Sequence, residues 1–354
     1  MSHVKLERVV KHYGSVVALR ELDLEIEEGE FLTLLGPSGC GKTTTLRLVA
    51  GFIEPTQGTI YLGNDDVTFV PPQKREIGMV FQDYALFPHM TISDNIGFGL
   101  KERGTSKEET RKRVGELLDL IHLPDVGERY PAELSGGQAQ RVAVARAVAY
   151  APRVLLMDEP LGALDLKLRE SMQIELRRIQ QELKITTVYV THDQGEAMNM
   201  SDRITVMNLG VIEQMGSAED IYNTPQSKFV ADFIGSINFL PAKIVGEEGE
   251  WAVAETVGIT VKVPKSDASA ASGEVSIALR PERLELVAKG GDGMNVVPGK
   301  VFNKIFNGNL MRIFVDVGAS DPVVIELPPE DVRSDLGETV NIGWAPQNGQ
   351  VLIK

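Results

Sequence analysis

Short, nearly all-apolar segments recur through the first part of the chain, where they alternate with stretches of helical periodicity. They are Phe31–Leu35, Ile77–Phe81, Val154–Met157 and Thr186–Thr191. A strand that is buried on both faces has this composition, because neither of its sides meets water. Helices between such strands are typical of an α/β fold. We therefore expect a buried sheet surrounded by helices.

Two helical stripes lie among these strands. In the first, Val114, Leu117, Leu118 and Ile121 recur at the spacing of one helix face, and the charged residues 101–113 form its solvated side. The second is a helix predicted over 166–183, whose apolar positions are Leu168, Met172, Leu176, Ile179 and Leu183. We assign both stripes to the core and not to a site.

The two ends of the chain carry a strand-like alternation instead. Residues 4–35 predict antiparallel strands, in which Leu22–Ile26 alternates apolar and acidic residues as a sheet with one wet face requires. After residue 238 the chain has strand-length segments at Ile259–Val263, Val275–Leu279, Arg312–Val317, Val323–Leu327, Thr339–Ile342 and Val351–Ile353. We predict an α/β domain over 1–235 and a small all-β, barrel-like domain over 236–354.

Composition narrows the class of protein. The 354 residues carry a net charge of −14, which argues against a nucleic-acid binder because phosphate contacts need clustered Lys and Arg. No apolar run reaches the roughly 18–20 residues that span a bilayer, and the first residues lack the apolar core of a signal peptide. A single cysteine fits a reducing cytosol. We expect a soluble, cytoplasmic chain whose membrane role, if it has one, comes through partners.

A glycine-rich loop follows the Phe31–Leu35 segment and opens a helix. It matches the pattern G-x-x-x-x-G-K-[ST], and its residues are Gly36, Pro37, Ser38, Gly39, Cys40, Gly41, Lys42, Thr43 and Thr44. Glycines let backbone N–H groups turn toward an anion, and the helix N-terminus adds about half a positive charge. We predict that Lys42 reaches the β- and γ-phosphates of a nucleotide and that the Thr43 hydroxyl binds Mg²⁺.

Polar side chains also stand where three other buried strands end. Gln82 follows one strand, Asp158 and Glu159 end the next, and His192 ends the third. Chemistry in α/β folds collects at the carboxyl ends of strands. The pattern predicts Asp158 on Mg²⁺, Glu159 as the general base for an attacking water, and a site role for Gln82 and His192.

Three further features have two interpretations each from the residues alone. Ser135–Gln138 either caps an ordinary helix or forms a second anion-binding helix terminus. Tyr13 either packs in the core or at a strand edge, or it stacks on a base. The aromatic segment Tyr84–Met90, which Pro88 interrupts, is either core under a loop or a docking surface.

Taken together, these motifs resemble the nucleotide-binding subunit of an ABC transporter, and in particular the bacterial importer ATPases with a C-terminal OB-like regulatory domain (TOBE domain). The most specific element is Leu134–Gln138, which is similar to the ABC signature and lies between the phosphate loop and Val154–Pro160. The resemblance implies a P-loop (RecA-like) core with antiparallel β and helical subdomains, the latter over about 88–153. It extends over essentially the whole chain.

The resemblance also implies roles for individual residues. Tyr13 would stack on adenine, Gln82 would contact Mg²⁺ or the attacking water, and His192 would contact the γ-phosphate. Asp158 and Glu159 match the magnesium-associated aspartate and the catalytic glutamate. The signature residues Ser135, Gly136, Gly137 and Gln138 would face the ATP held by a second copy of the chain.

In such a family the ATPase dimer drives two transmembrane permease subunits, which receive cargo from a substrate-binding protein. The chain would then lie at the cytoplasmic face of the inner membrane, with Tyr84–Met90 docked on the permeases. The segments Ala278–Glu282 and Phe233–Phe239 resemble those of polyamine importers. Ferric iron, sugar and aminophosphonate importers remain alternatives, as does a soluble ABC ATPase with no transport role.

Overall fold

A computed structural model describes residues 4–162, 164–265, 274–288, 293–332 and 334–353. These residues form two compact units, residues 1–221 and 222–354. The boundary between the units lies earlier in the chain than the domain boundary that we predict at 235. Each unit has its own core and is described by itself.

The first unit combines two sheets with helices. Its strands are β1 (Val4–Tyr13), β2 (Val16–Ile26), β3 (Phe31–Leu35), β4 (Gln57–Leu62), β5 (Asp65–Asp66), β6 (Ile77–Val80), β7 (Val154–Asp158), β8 (Thr186–Thr191), β9 (Arg203–Asn208) and β10 (Val211–Gly216). Its α-helices are α1 (Lys42–Ala50), α2 (Ile92–Glu102), α3 (Lys107–Leu120), α4 (Gly136–Val148), α5 (Leu166–Leu183) and α6 (Gln194–Met200). Single 3₁₀ turns occupy Pro72–Lys74, Pro124–Val126 and Pro131–Glu133.

The larger sheet brings the predicted strand ends together. Its six strands lie in the order β10-β9-β3-β8-β7-β6. β3 pairs in parallel with β8 and β9, and β7 pairs in parallel with β6 and β8. The expectation that residues 4–35 are antiparallel throughout is therefore wrong for β3, because its apolar sequence is suited to burial between two neighbours. The ends of β3, β6, β7 and β8 share one edge of the sheet.

The smaller sheet has the predicted wet face. It contains four strands in the order β2-β1-β4-β5, and β1 pairs antiparallel with β2 and β4. In β2, Leu22, Leu24 and Ile26 are buried whereas Asp23 and Glu25 are exposed. The apolar side contributes to one core with α1 and the centre of the larger sheet.

The helices α2, α3 and α4 lie within the predicted helical subdomain and share a core with α5. Val114, Leu117, Leu118 and Ile121 are buried there, as the apolar spacing predicts. The charged residues 101–113, however, do not belong to one helix. α2 ends at Glu102, and Ser106 begins α3 with a capping box in which its hydroxyl accepts from the Glu109 amide. The capping box thus overrides the apparent continuity of the charged run.

The second unit is mainly β. It contains β11 (Asn238–Glu248), β12 (Trp251–Thr256), β13 (Ile259–Pro264), β14 (Glu274–Leu279), β15 (Glu285–Val287), β16 (Asn295–Asn307), β17 (Leu310–Asp316), β18 (Val323–Leu327), β19 (Thr339–Trp344) and β20 (Gln350–Ile353). Helix α7 (Ala218–Asn223) spans the boundary, α8 (Lys228–Phe233) follows it, and 3₁₀ turns occupy Pro281–Arg283, Pro329–Asp331 and Pro346–Asn348.

These strands form two five-stranded sheets, in the orders β13-β12-β11-β14-β20 and β15-β19-β16-β17-β18, around a shared core that includes Trp344. Arg280 shows why residues before 236 belong to this unit. Its guanidinium donates to the carbonyls of Ala231, Ile234 and Ser236 at 3.3, 2.6 and 3.1 Å. The buried arginine therefore holds the segment after α8 against β14.

Candidate functional site

The phosphate loop runs from the end of β3 to the start of α1 and requires glycine at fixed places. Gly39 and Gly41 have φ of 80° and 110°, in the region that side chains rarely adopt. A Cβ at Gly36 would lie 2.3 Å from the carbonyl oxygen of Met207, and one at Gly41 would lie 2.6 Å from Leu19 Cδ2. The loop is thus packed tightly on its inner side.

The rest of the loop divides into an exposed tip and a buried base. Ser38 and Gly39 are exposed, Pro37, Thr43 and Thr44 are half-buried, and Cys40 is buried. The Lys42 ammonium is also buried, and it donates to the carbonyls of Gly36 and Pro37 at 2.7 and 3.0 Å. Its charge is held by weak acceptors of its own loop, so a phosphate entering the loop would compete for it favourably.

Asp158 ends β7 beside the start of α1. The Thr43 hydroxyl donates to Asp158 Oδ1 at 3.2 Å. Burial raises the pKa of Asp158, and the charge of Glu159 adds to the rise, whereas the Thr43 hydrogen bond and the charges of Arg47 and Lys42 oppose it. A cation at this carboxylate would relieve the cost of its burial.

This donor set fits Mg²⁺ as a substrate-associated ion. Among the described residues there is no group of three or more His, Cys, Asp or Glu that could hold a metal by themselves. Mg²⁺ does not need such a group, because it keeps several waters and binds one or two carboxylates together with substrate phosphates. The hydroxyl of Thr43 and the carboxylate of Asp158 supply hard oxygen ligands of this kind.

Glu159 and His192 meet at the next two strand ends. Glu159 has φ of 45°, and its amide donates to the Val190 carbonyl at 3.0 Å, so the residue turns away from β7 while it remains tied to β8. Glu159 Oε2 lies 3.3 Å from His192 Nδ1. The Glu159 side chain is 24% exposed and the His192 side chain 62% exposed, which leaves both accessible to a ligand.

Gln82 lies two residues after β6 and has an exposed side chain. A Cβ built on Gly162 would be 3.7 Å from Gln82 Nε2, so the amide stands beside the turn that follows Glu159. The Gly162 amide donates to the Glu159 carbonyl at 3.2 Å and closes that turn. The structure therefore gathers Gln82, Glu159 and His192 around one turn.

The structure places the signature residues on a different feature. Ser135 caps α4: its hydroxyl accepts from the Gln138 amide at 3.4 Å, and Gln138 Oε1 accepts from the Ser135 amide at 3.0 Å. Added Cβ atoms at Gly136 and Gly137 would lie 3.1 Å from Leu164 Cδ2 and 3.0 Å from Leu168 Cδ1, respectively. The helix end packs against the start of α5, and its capping bonds are internal. Both interpretations of this segment are compatible with that geometry.

Tyr13 is the last residue of β1, and it is 47% exposed. The Lys11 ammonium lies 5.1 Å from the centre of its ring. The ring is therefore available for stacking and does not belong to the core.

The segment Tyr84–Met90 is irregular, as predicted. Arg146 donates to the carbonyls of Tyr84 and Ala85 at 2.8 and 2.7 Å. The buried Asn95 side chain accepts from the Phe87 amide and donates to the carbonyls of Phe87 and Met90. A segment with few backbone partners of its own is thus held in place by two side chains that sequence patterns did not single out.

A buried carboxylate that no sequence pattern indicated lies on the helix after His192. Glu196 Oε2 accepts from the hydroxyls of Tyr189 and Thr191, each at 2.7 Å, and burial raises the pKa of Glu196. Arg169 of α5 contacts Asp193 and Glu196. The only local signal for this group was the pairing of Asp193 with Glu196 at the start of a short helix, where the Asp193 side chain caps α6.

Comparison with known proteins identifies the family. The model described as ABC transporter matches residues 19–162, and the TOBE domain model matches residues 277–352. The spermidine/putrescine import ATP-binding protein PotA of Acidothermus cellulolyticus is 48% identical over 346 residues, which are 96% of this chain and 90% of that protein. The chain belongs to the ABC transporter family. The predicted ABC ATPase core, its TOBE-type β domain and the importer ATPase class are thereby confirmed.

Other members of the ABC family extend this result. The Fe(3+) ions import ATP-binding protein FbpC of Rhizobium etli is 45% identical over 92% of this chain and 93% of its own length. A bacterial ABC transporter cassette solved as a dimer is 37% identical, with a TM-score of 0.55, and the match covers 61% of this chain and 98% of the cassette. The same cassette has been solved in a post-hydrolysis state bound to ADP and Pi, with a TM-score of 0.53.

Proposed function

We propose that this ABC ATPase hydrolyses ATP at the shared edge of β3, β6, β7 and β8, and that a dimer of the chain couples hydrolysis to polyamine import. The observation that carries the proposal is the contact between Glu159 and His192 next to a phosphate loop whose Thr43 bonds Asp158. Phosphoryl transfer needs mainly positioning and charge stabilisation, and this edge offers both.

The loop residues Gly36–Thr44 bind the triphosphate. Their backbone N–H groups and the start of α1 face the phosphates, and Lys42 exchanges its loop carbonyls for phosphate oxygens. The exposed ring of Tyr13 stacks on the adenine. Thr43, Asp158 and Gln82 would hold Mg²⁺, which would neutralise charge on the phosphate oxygens.

Glu159 acts as the general base. It accepts a proton from water while the water oxygen bonds to the γ-phosphorus, and the bond from that phosphorus to the bridging oxygen breaks, so that ADP and phosphate are released. The His192 ring is held by its Nδ1 contact to Glu159, and its exposed edge would contact the γ-phosphate. Gln82, whose amide lies beside the turn at Gly162, would orient the water.

A second copy of the chain completes each site. Ser135 and Gly136 are exposed, Gln138 is half-buried and Gly137 is buried at this helix start. The capping bonds are internal, so the positive end of the helix can receive the ATP of a partner. The similarity to a cassette solved as a dimer supports this arrangement. ATP binding would close the dimer and hydrolysis would open it.

Transport requires partners that this chain does not contain. No helix in the described part of the chain has the length and hydropathy to cross a membrane. We place the chain at the cytoplasmic face of the inner membrane, bound through Tyr84–Met90 to two permease subunits that receive cargo from a substrate-binding protein. Polyamine is favoured because relatives named for spermidine and putrescine import match the whole chain, and ferric iron is the second candidate.

The general-base assignment is tested by Glu159→Gln. The amide keeps the shape of the side chain but cannot accept the proton, so we expect ATP turnover to fall by a factor of ~10²–10⁴. ATP should still bind, and the variant should accumulate as a closed dimer in size-exclusion chromatography with ATP. The matched control is Glu182→Gln, an exposed acid on α5 that pairs with Arg178. Glu159→Gln turnover at the level of this control would refute the assignment.

Cargo and partners need a separate experiment. The tagged chain is purified from membranes together with its associated subunits and reconstituted in proteoliposomes. We expect two hydrophobic permeases in the complex and ATP turnover that rises with spermidine and the substrate-binding protein. Stimulation by ferric iron would favour the second candidate, and a chain that never copurifies with membrane subunits would favour a soluble ABC ATPase.

A further inference from the structure

Arg169 joins the two loops that carry the proposed hydrolytic residues. It lies in the first turn of α5, directly after the loop that follows Glu159. One guanidinium nitrogen donates to the Leu164 carbonyl at 3.0 Å, and another donates to Asp193 Oδ2 at 3.2 Å. Asp193 is the residue after His192. The arginine therefore bridges the segment that follows Glu159 and the segment that follows His192.

The Asp193 end of this bridge is held by several hydrogen bonds. The Asp193 amide donates to Thr191 Oγ1 at 3.0 Å, and Asp193 Oδ1 accepts from the Glu196 amide at 3.0 Å. The Thr191 hydroxyl in turn donates to the buried Glu196 carboxylate. Hydrogen bonds thus tie Thr191 and Asp193, the two neighbours of His192, to the start of α6. A displacement of Asp193 would therefore move His192.

The Leu164 end of the bridge is also held by hydrogen bonds. Asp165 caps α5 by accepting from the Leu168 amide at 3.0 Å, and the Leu164 amide donates to the Leu161 carbonyl at 3.1 Å. The Gly162 amide bonds the Glu159 carbonyl. Among the described residues, the Arg169 guanidinium bonds both Leu164 and Asp193, and the contact between Glu159 and His192 is a second link between the two loops.

We propose that Arg169 is a positioning residue for ATP hydrolysis, which holds the Glu159–His192 pair in register by bridging Leu164 and Asp193. This inference rests on the proposed function. Arg169 does not contact the phosphates in this arrangement, so its loss should affect the chemical step and leave ATP binding to the phosphate loop intact. Small misplacement of reacting groups is sufficient to slow such a step by orders of magnitude.

The test is steady-state ATP hydrolysis by the full chain carrying Arg169→Met, with ATP affinity measured by calorimetry. We expect kcat to fall at least about tenfold while the ATP dissociation constant and KM change less than about twofold. Arg169→Lys keeps the charge but not the fork that reaches both acceptors, so its kcat should lie between those of the methionine variant and the wild type. It also serves as the readout if Arg169→Met does not fold.

The matched control is Arg178→Met on the same helix. Arg178 pairs with Glu175 and Glu182 and donates to a backbone carbonyl of α3, and none of these described partners lies in either loop. A purely structural role for arginines of α5 predicts similar losses of melting temperature in both variants and no selective loss of kcat. We expect the selective loss only in Arg169→Met.

A double-mutant cycle tests the path itself. Asp193→Asn removes the nearer of the two carboxylates that Arg169 contacts, since Glu196 Oε1 is 3.8 Å away, and it keeps a side chain that can cap α6. If Arg169 acts through Asp193, Arg169→Met/Asp193→Asn will lose no more kcat than the slower single variant. Losses that multiply, or a wild-type kcat in Arg169→Met, would overturn the inference while the proposed function stands. Absence of ATP turnover in the wild-type chain would overturn the proposed function and this inference with it.

Discussion

Arg75 bonds the C-terminal end of α1, the helix that follows the phosphate loop, and its replacement tests how much this contact stabilises the helix. The side chain is 2% exposed, and its guanidinium donates to the carbonyls of Leu48, Val49, Thr68 and Val70 at 2.7, 2.9, 3.1 and 2.6 Å. The first two carbonyls belong to the last turn of α1. Burial lowers the pKa of Arg75 to about 10, so the group stays charged at neutral pH. It therefore places a positive charge at the negative end of the helix.

Arg75→Met removes the donors and leaves the apolar stem in place. The Leu48 carbonyl also accepts from the Gly51 amide at 3.1 Å and remains bonded. The other three carbonyls lose the guanidinium, and a buried carbonyl without a donor costs at least about 1 kcal/mol. We expect the first unit to lose about 3 kcal/mol of unfolding free energy. That corresponds to a fall of roughly 6–12 °C in melting temperature for a unit of this size.

The assay is differential scanning calorimetry of the full chain, with and without ATP. The control is Arg153→Met, whose side chain is 42% exposed and pairs with Asp65 and Glu76, so its loss should be below about 1 kcal/mol. ATP affinity should also fall in Arg75→Met, because Lys42 begins the helix that Arg75 supports. Equal melting temperatures for the two variants would refute the idea that Arg75 caps α1.

Two further predictions concern the loop and its carboxylate. A bulky maleimide should react slowly with the buried Cys40 and abolish ATP binding, and bound ATP should block the reaction. The Cys40→Ser variant should be resistant to the reagent. Full labelling of Cys40 with undiminished activity would contradict the placement of the loop. Because burial raises the pKa of Asp158, the folded state loses stability relative to the unfolded state as the pH rises from the ordinary carboxyl pKa through the raised one. Asp158→Asn should therefore melt no lower than the wild type without ligand and lose the extra stabilisation by ATP with Mg²⁺ in thermal shift measurements.

Much of the site could be predicted from the sequence because its parts are local. The positive φ of Gly39 and Gly41 is a local requirement of the loop, although the close approach of Met207 to Gly36 is not local. Gln82, Glu159 and His192 each follow a recognisable buried strand. Parallel pairing then places these strand ends side by side. The sequence therefore predicted which residues meet, although the distances between them required the structure.

The supporting residues could not be predicted in this way. Arg75 and Arg169 act through carbonyls and carboxylates distant in sequence, and Arg169 lies on a helix rich in solvated charges. An arginine that bridges two loops and an arginine that only meets solvent have the same local sequence pattern. The break between α2 and α3 was missed for a similar reason, because a capping box at Ser106 is a local bond that hydrophobic spacing does not reveal.

The bridge at Arg169 has a consequence for two nucleotide sites in one dimer. Gly136 packs on Leu164, whose carbonyl accepts from Arg169, and Arg169 reaches Asp193 beside His192. In the proposed head-to-tail dimer, Gly136 faces the ATP of the partner, whereas His192 faces the ATP of its own chain. A nucleotide that shifts the start of α4 would thus press on the hydrolytic pair of the other site. Without the arginine, the loop after Glu159 could move alone and absorb that shift, because coupling requires a continuous set of packed or bonded groups.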